Sequence, residues 1–186
     1  MKKEIEKTLK VLKEGGTVIY PTDTIWGIGC DATDEEAVRK IYEIKQRTDT
    51  KSMIILVDSW EMLKNYIKKI PVKVGCVIEG AIKPTTVIYN NPKGLASNVV
   101  SSDRTVGIRI VEDEFCSLLI SKFGKPIVST SANYSGKPGP KNFEDIDSSL
   151  FEKVDYVVNL HRERRGGSAS RIVKFNNKGG FVFLRK

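Results

Sequence analysis

The sequence predicts a mixed α/β protein, and three observations carry that prediction. Short β-prone runs alternate with stretches of helical periodicity, capping residues and glycines punctuate them, and no repeat, low-complexity tract or linker interrupts the 186 residues. One domain spanning residues 1–186 is the expectation for a chain of this length.

Taken in order, Glu4 to Glu14 places Ile5, Leu9 and Leu12 at helical spacing, and Gly15-Gly16 ends that helix. Thr17 to Tyr20 is a short strand. Thr33-Asp34-Glu35-Glu36 has the capping-box pattern, after which Ala37, Val38, Ile41 and Tyr42 form one apolar face of a helix ending near Lys45. A buried strand is predicted from Ser52 to Val57. Asp58 or Ser59 caps a helix carrying Trp60, Leu63 and Ile67, Pro71 starts another, and Thr85 to Tyr89 and Thr105 to Val111 read as strands.

Asp113 to Lys122 carries a helical face of Phe115, Leu118 and Leu119 closed by Gly124. Pro126 to Ser129 is a strand leading into a polar loop, and Phe143 to Leu150 reads as a short helix. Strands at Val154 to Val158, Ser170 to Phe175 and Phe181 to Leu184 complete the chain, the last two joined by the turn 176–180.

Composition narrows the function. Hydrophobic content of 40% and charged content of 29% are those of a globular chain. Cys30, Cys76 and Cys116 stand singly, without CxxC spacing, and His161 is the one histidine, so neither a disulfide framework nor a zinc site assembles; the thiols read as small hydrophobes. Met1 to Lys13 mixes charge with apolar residues, unlike a secretory leader, and no stretch reaches membrane-spanning length, so the expected location is the cytoplasm. The net charge of +8 favours anionic partners such as nucleotides or RNA.

Three polar clusters lie just beyond strand ends, where a rigid sheet can hold converging loops. In Pro21 to Gly27, the side chains of Thr22, Asp23 and Thr24 suit a polar small molecule, and equally suit satisfying their own backbone in a turn. Lys45, Arg47 and Lys51 put three cations within seven residues around a helix end, an arrangement suited to a triphosphate; lysine there also complements the helix dipole. Ser129 to Gly136 offers four Ser/Thr hydroxyls and an amide. Neither GxxxxGK[ST] nor GxGxxG occurs, so any nucleotide is held by side-chain cations rather than a glycine-rich cradle.

The order and spacing of these clusters resemble the YrdC family, also called TsaC, the threonylcarbamoyl-AMP synthases, over essentially the whole chain. Gly16 to Gly29 is similar to the family's G-x-hydrophobic-PT-[DE]-T-x-[YW]-G-L-G opening. Lys45 and Arg47 supply its K-x-R, Thr105 to Arg109 its T-V-G-x-R, and Ser129 to Gly136 its S-x-S-A-N-x-S-G. The resemblance implies a single-domain YrdC-like fold with a large twisted mixed β-sheet, flanking helices and a concave central cavity.

The activity that the resemblance implies joins L-threonine, bicarbonate and ATP, with Mg²⁺ carried mainly on phosphates, to give threonylcarbamoyl-AMP and pyrophosphate. A tRNA threonylcarbamoyl transferase complex then uses the product on an adenosine of tRNA. Carried over by position, Thr24, Arg109, Ser129 and Ser170 would contact threonine. Arg47, Lys51, Thr105, Ser131, Asn133 and Arg185 would contact ATP, with Lys45 and Arg47 stabilising charge and no protein nucleophile required.

Several positions depart from the family pattern. Thr48 follows the K-x-R where Pro is usual, Lys83-Pro84-Thr85-Thr86 replaces G-P-L-T, and Val111 replaces a Pro. Gly139 stands where many relatives carry a serine, Ala169-Ser170-Arg171 replaces Pro-Ser-Thr, and 161–168 forms a basic segment that reads as a solvated loop, a lid over ATP or an RNA contact. The competing readings are a module binding structured, double-stranded RNA without catalysis, and a different carbamoyl-transfer enzyme on the same fold.

Overall fold

A computed structural model describes residues 1–47, 53–176 and 180–186. Lys51, Thr48 and Ser52 lie outside the described residues, as does 177–179 of the expected final turn. The elements run α1 (Lys2–Lys13), β1 (Val18–Tyr20), β2 (Gly27–Gly29), α2 (Glu35–Ile44), β3 (Ile54–Val57), α3 (Trp60–Tyr66) and α4 (Val74–Glu79). They continue with β4 (Thr85–Asn90), β5 (Thr105–Ile110), α5 (Glu114–Phe123), β6 (Ile127–Ser131), β7 (Tyr156–Val157), β8 (Arg171–Phe175) and β9 (Phe181–Arg185).

The strands form one nine-stranded sheet in the order β7-β1-β2-β6-β3-β5-β4-β8-β9. Pairs β1–β7, β3–β5 and β4–β8 are parallel and the other five are antiparallel, so the sheet is mixed. Helices α1 and α5 pack together against the sheet, burying Ile5, Leu12, Phe115, Leu119 and Ile120.

The register explains why one face of the sheet is polar. Side chains alternate across a strand, and partners in register point the same way. Gly27 pairs with Ser131, Ile54 with both Ser129 and Gly107, Leu56 with Arg109, and Thr86 with Ile172. These residues therefore share a face, whereas Ile55, Val57, Val106, Ile108 and Val128 point the opposite way into the core. One face thus carries Thr86, Arg109, Ser129 and Ser131 among aliphatic neighbours, whereas the opposite face is aliphatic at these strands.

Close approaches fix the centre of the sheet. A Cβ on Gly29 would lie 1.9 Å from the Val128 carbonyl oxygen. Only a glycine lets β2 sit so tightly on β6, where the buried Tyr20 hydroxyl also donates to Val128 O at 3.0 Å. Gly124 ends α5 at φ 72°, the left-handed conformation that an L side chain resists, as its sequence position predicts.

Local details correct several sequence expectations. Asp34, rather than Thr33, caps α2, accepting from Glu36 N and Ala37 N; the Thr33 hydroxyl instead donates to Asp31 Oδ1. The Asp34 carboxylate satisfies orphan N–H groups of the first turn, a contact worth about 1 kcal/mol. Ser59 caps α3. The helix expected from Pro71 begins at Val74, and 143–150 forms two single 3₁₀ turns, Phe143–Asp145 and Ser148–Leu150. Leu118 is exposed while Cys116 takes its place in the buried stripe of α5, and Cys76 is an exposed thiol rather than a packed one. Among the described residues no helix is long and apolar enough to cross a membrane.

Candidate active site

A cavity of about 710 Å³ opens on the polar face of the sheet. Its floor and walls bring together Thr24 from the loop before β2, Arg47 after α2, Arg109 of β5, Ser129 and Ser131 of β6, Ser170 beside β8 and Arg185 of β9. Those seven were singled out from the sequence. Lys45, Thr105 and Asn133 were too, but their side chains do not line it.

Arg109 is the best-anchored cation. It is 3% exposed, and its Nη1 donates to the carboxylate of Asp23, while its buried Nε has no partner. Asp23 thus fixes one corner of the guanidinium, and Nε is left without an acceptor. Gly107, one step back on the same face, lets β4 pack closely: a Cβ there would stand 3.2 Å from Thr86 Cγ2 and 3.3 Å from Ile88 Cδ1.

Arg185 reaches in from the last strand. Its Nε donates to Ser170 O at 2.7 Å and its Nη2 to Ser170 Oγ at 3.2 Å. Burial, then the charge of Arg109, lowers the pKa of Arg185, so these two cations repel each other and favour an anion in the space they share. Ser170 is itself buried, 2.8 Å from Thr86 Oγ1. Arg47 donates from Nη1 to Thr130 Oγ1 at 3.3 Å, and burial lowers its pKa as well.

Lys45 plays a different part. Its Nζ donates to the carbonyls of Ser131 and Asn133, the latter at 2.6 Å, from behind the cavity wall. Burial, and next the charge of Arg47, push its pKa down to about 7. The lysine therefore clamps the end of β6 and the following loop, whose Ser131 faces the cavity. Thr105 donates to Asp103 Oδ1 at 2.7 Å, and Asn133 donates to the carbonyls of Tyr134 and Lys137. Both hold loops around the site.

The basic segment 161–168 is largely engaged with the protein. Arg162 stacks over Phe143 at 4.4 Å, and Arg164 lies 3.6 Å from Asp113. Gly166 N donates to Lys141 O at 2.5 Å and Gly167 N to Thr24 O at 2.6 Å, which brings Gly167, Ser168 and Ala169 onto the cavity wall. A Cβ on Gly166 would fall 2.4 Å from Lys141 O, so glycine is what allows this docking. Gly139 also lines the cavity, with room for a Cβ only 3.1 Å from Ile25 Cδ1.

Sequence reasoning missed Lys141, which lines the wall together with Gly139. It also missed the partnership of Asp23 with Arg109. No local signal joins residues 86 positions apart; only the shared face of β5 and the opening loop brings them together.

The family model for Sua5, YciO and YrdC proteins, described as telomere recombination, matches residues 10–186. A threonylcarbamoyl-AMP synthase of Vibrio parahaemolyticus is 30% identical over 156 residues, covering 82% of this chain and 84% of the relative. The crystal structure of P. abyssi Sua5 complexed with L-threonine superposes with a TM-score of 0.85 at 27% identity, covering 97% of this chain and 53% of that one. The present chain thus spans about half the length of that Sua5. A full-length HypF in a phosphate- and nucleotide-bound form gives a TM-score of 0.81 at 25% identity, covering 98% of this chain and 28% of that one.

Proposed function

Since the chain belongs to the Sua5/YciO/YrdC family, we propose that it is a threonylcarbamoyl-AMP synthase, an ATP-using nucleotidyltransferase that serves tRNA adenosine modification. The observation that carries the reading is the single cavity in which Arg47, Arg109 and Arg185 converge among the hydroxyls of Thr24, Ser129, Ser131 and Ser170. Such a hollow suits two anionic substrates held side by side.

The chemistry needs no nucleophile from the protein. The amine of L-threonine forms an N–C bond to the carbon of bicarbonate and water leaves, giving a carbamate. A carbamate oxygen then attacks the α-phosphorus of ATP, and the bond to the β-phosphate oxygen breaks to release pyrophosphate. Catalysis is positioning and charge stabilisation.

In this reading the α-carboxylate of threonine pairs with Arg109, and Thr24, Ser129 and Ser170 surround the rest of the amino acid. Arg47, Ser131 and Arg185 serve the nucleotide, together with Lys51. Lys45 acts through the wall it clamps, and Thr105 and Asn133 act through the loops they hold.

Mg²⁺ would travel on the phosphates of ATP. Among the described residues no three of His, Cys, Asp or Glu converge and Asp23 is engaged by Arg109, so those residues would offer phosphate-bound metal hydroxyls and water rather than a carboxylate cage. The product would pass to a tRNA threonylcarbamoyl transferase complex in the cytoplasm. The test is pyrophosphate release across the twenty amino acids. L-threonine with bicarbonate should give the fastest release, and equal rates without bicarbonate would refute the reading.

A further inference from the structure

The hydrogen bonds around Thr22 set the polarity of a group that faces the cavity. Thr22 Oγ1 lies 2.7 Å from Ile25 O, 3.1 Å from Thr24 N and 2.9 Å from Thr24 Oγ1. A hydroxyl has one proton and two lone pairs. A carbonyl cannot donate, so the Thr22 proton goes to Ile25 O. One lone pair takes the Thr24 N–H, and the other is left for the Thr24 O–H.

Thr24 consequently spends its own proton inward and has only acceptor capacity left for the cavity it lines. Both side chains are buried, at 7% and 6% exposure, so water does little to scramble the arrangement. The backbone of Thr24 is pinned as well, because its carbonyl accepts from Gly167 N. Thr22 itself is not among the residues lining the large cavity and borders a smaller hollow instead.

We infer that Thr22 is a specificity-determining positioning residue: by fixing the Thr24 hydroxyl as an acceptor, it makes the site select an amino acid whose side chain carries a proton donor. This rests on the threonine reading of the same cavity. The α-carboxylate is an acceptor and belongs at Arg109, and the α-amino nitrogen must face bicarbonate, which leaves the β-hydroxyl as the donor to Thr24. Valine, the isostere of threonine, would set a methyl against a buried acceptor and leave it unpaired. Sites built to hydrogen-bond a substrate hydroxyl reject the analogue lacking it far more strongly than apolar pockets reject a missing methylene.

The experiment measures binding of L-threonine, L-valine and the β-fluoro analogue of threonine by calorimetry without ATP, in the unmodified protein, Thr22→Val and Thr22→Ser. The fluoro compound keeps an electronegative acceptor but has no proton. The unmodified protein should prefer threonine to both by roughly 100-fold or more. Thr22→Val frees the Thr24 proton to turn outward, and should cut the preference for threonine over valine by about tenfold while leaving ATP affinity unchanged. Thr22→Ser, which keeps the relay, should retain the preference.

A Thr22→Val protein with the original preference, or one whose threonine and ATP affinities fall together, overturns the role of Thr22 while the synthase reading stands. Fluoro analogue binding as tightly as threonine to the unmodified protein also overturns it, and needs no variant to fold. An unmodified protein that neither binds threonine nor releases pyrophosphate with it overturns the synthase reading, and this inference falls with it.

Discussion

Arg109, which lines the cavity, donates from Nη1 to the Asp23 carboxylate beside it, and its buried Nε has no partner. Removing Asp23 leaves a guanidinium that is 3% exposed without a counter-charge, a defect that costs about 3–5 kcal/mol when a buried pair is broken. Asp23→Ala should therefore lower the urea midpoint sharply, and Asp23→Asn, which still offers an acceptor, should lower it less. Equal midpoints for all three proteins would show that the pair does not organise the floor.

Arg109→Lys replaces a planar fork by a point charge, so it can no longer offer two parallel N–H groups to a carboxylate. The KM for L-threonine should rise at least about tenfold, the scale of one lost charge-assisted hydrogen bond, with the KM for ATP little changed. Steady-state kinetics with each substrate varied in turn would check this split.

Arg47 stands on the same wall, its Nη1 donating to Thr130 Oγ1. If it stabilises charge on the transferring phosphate, Arg47→Ala should reduce turnover by roughly 10²-fold or more. Normal pyrophosphate release by that variant would remove Arg47 from the catalytic set.

Lys45 gives a pH signature. Burial, then Arg47, lowers its folded-state pKa to about 7, below the ordinary lysine value. Below pH 7 the lysine is protonated in both states and its charge opposes folding. As pH rises above about 7 the folded form sheds the proton that the unfolded chain keeps, so stability from this residue grows with pH up to the ordinary lysine range. Urea unfolding at a series of pH values should show the natural protein gaining stability relative to Lys45→Met between pH 7 and 9.5. Parallel curves would contradict it.

Gly166 allows the chain to pass over Lys141 O, where a Cβ would stand only 2.4 Å away. Gly166→Ala should displace the Gly167 to Ser170 wall and raise the KM of at least one substrate by roughly tenfold, on the scale of a 1 to 2 kcal/mol positioning defect. Stability should change far less than activity, which thermal melting alongside kinetics would reveal.

The parts of this fold that local chemistry dictates were legible in the sequence. Helix α5 shows why: Asp113 and Gly124 mark its two ends, and both act as caps. Strand β2 was not legible, because Gly27-Ile28-Gly29 lacks any β-branched run; tertiary pressure against Val128 makes it a strand. The motif clusters led to Thr24, Arg47, Arg109, Ser129 and Ser131, and the family resemblance added Ser170 and Arg185; all seven share one cavity. Lys45 reads as a phosphate ligand by its charge, yet folding turns its ammonium onto two backbone carbonyls. Periodicity also cannot tell which member of an apolar stripe meets solvent, hence Leu118 outside and Cys116 inside. Such outcomes depend on partners distant in the chain, and a linear pattern does not encode them.

The most direct measurement incubates the protein with ATP, L-threonine and isotopically labelled bicarbonate and identifies the adenylylated product by mass spectrometry. A product containing the bicarbonate carbon, threonine and AMP, formed in step with pyrophosphate, is expected. Turnover of ATP that leaves threonine and the label unincorporated would contradict a cavity built to join all three.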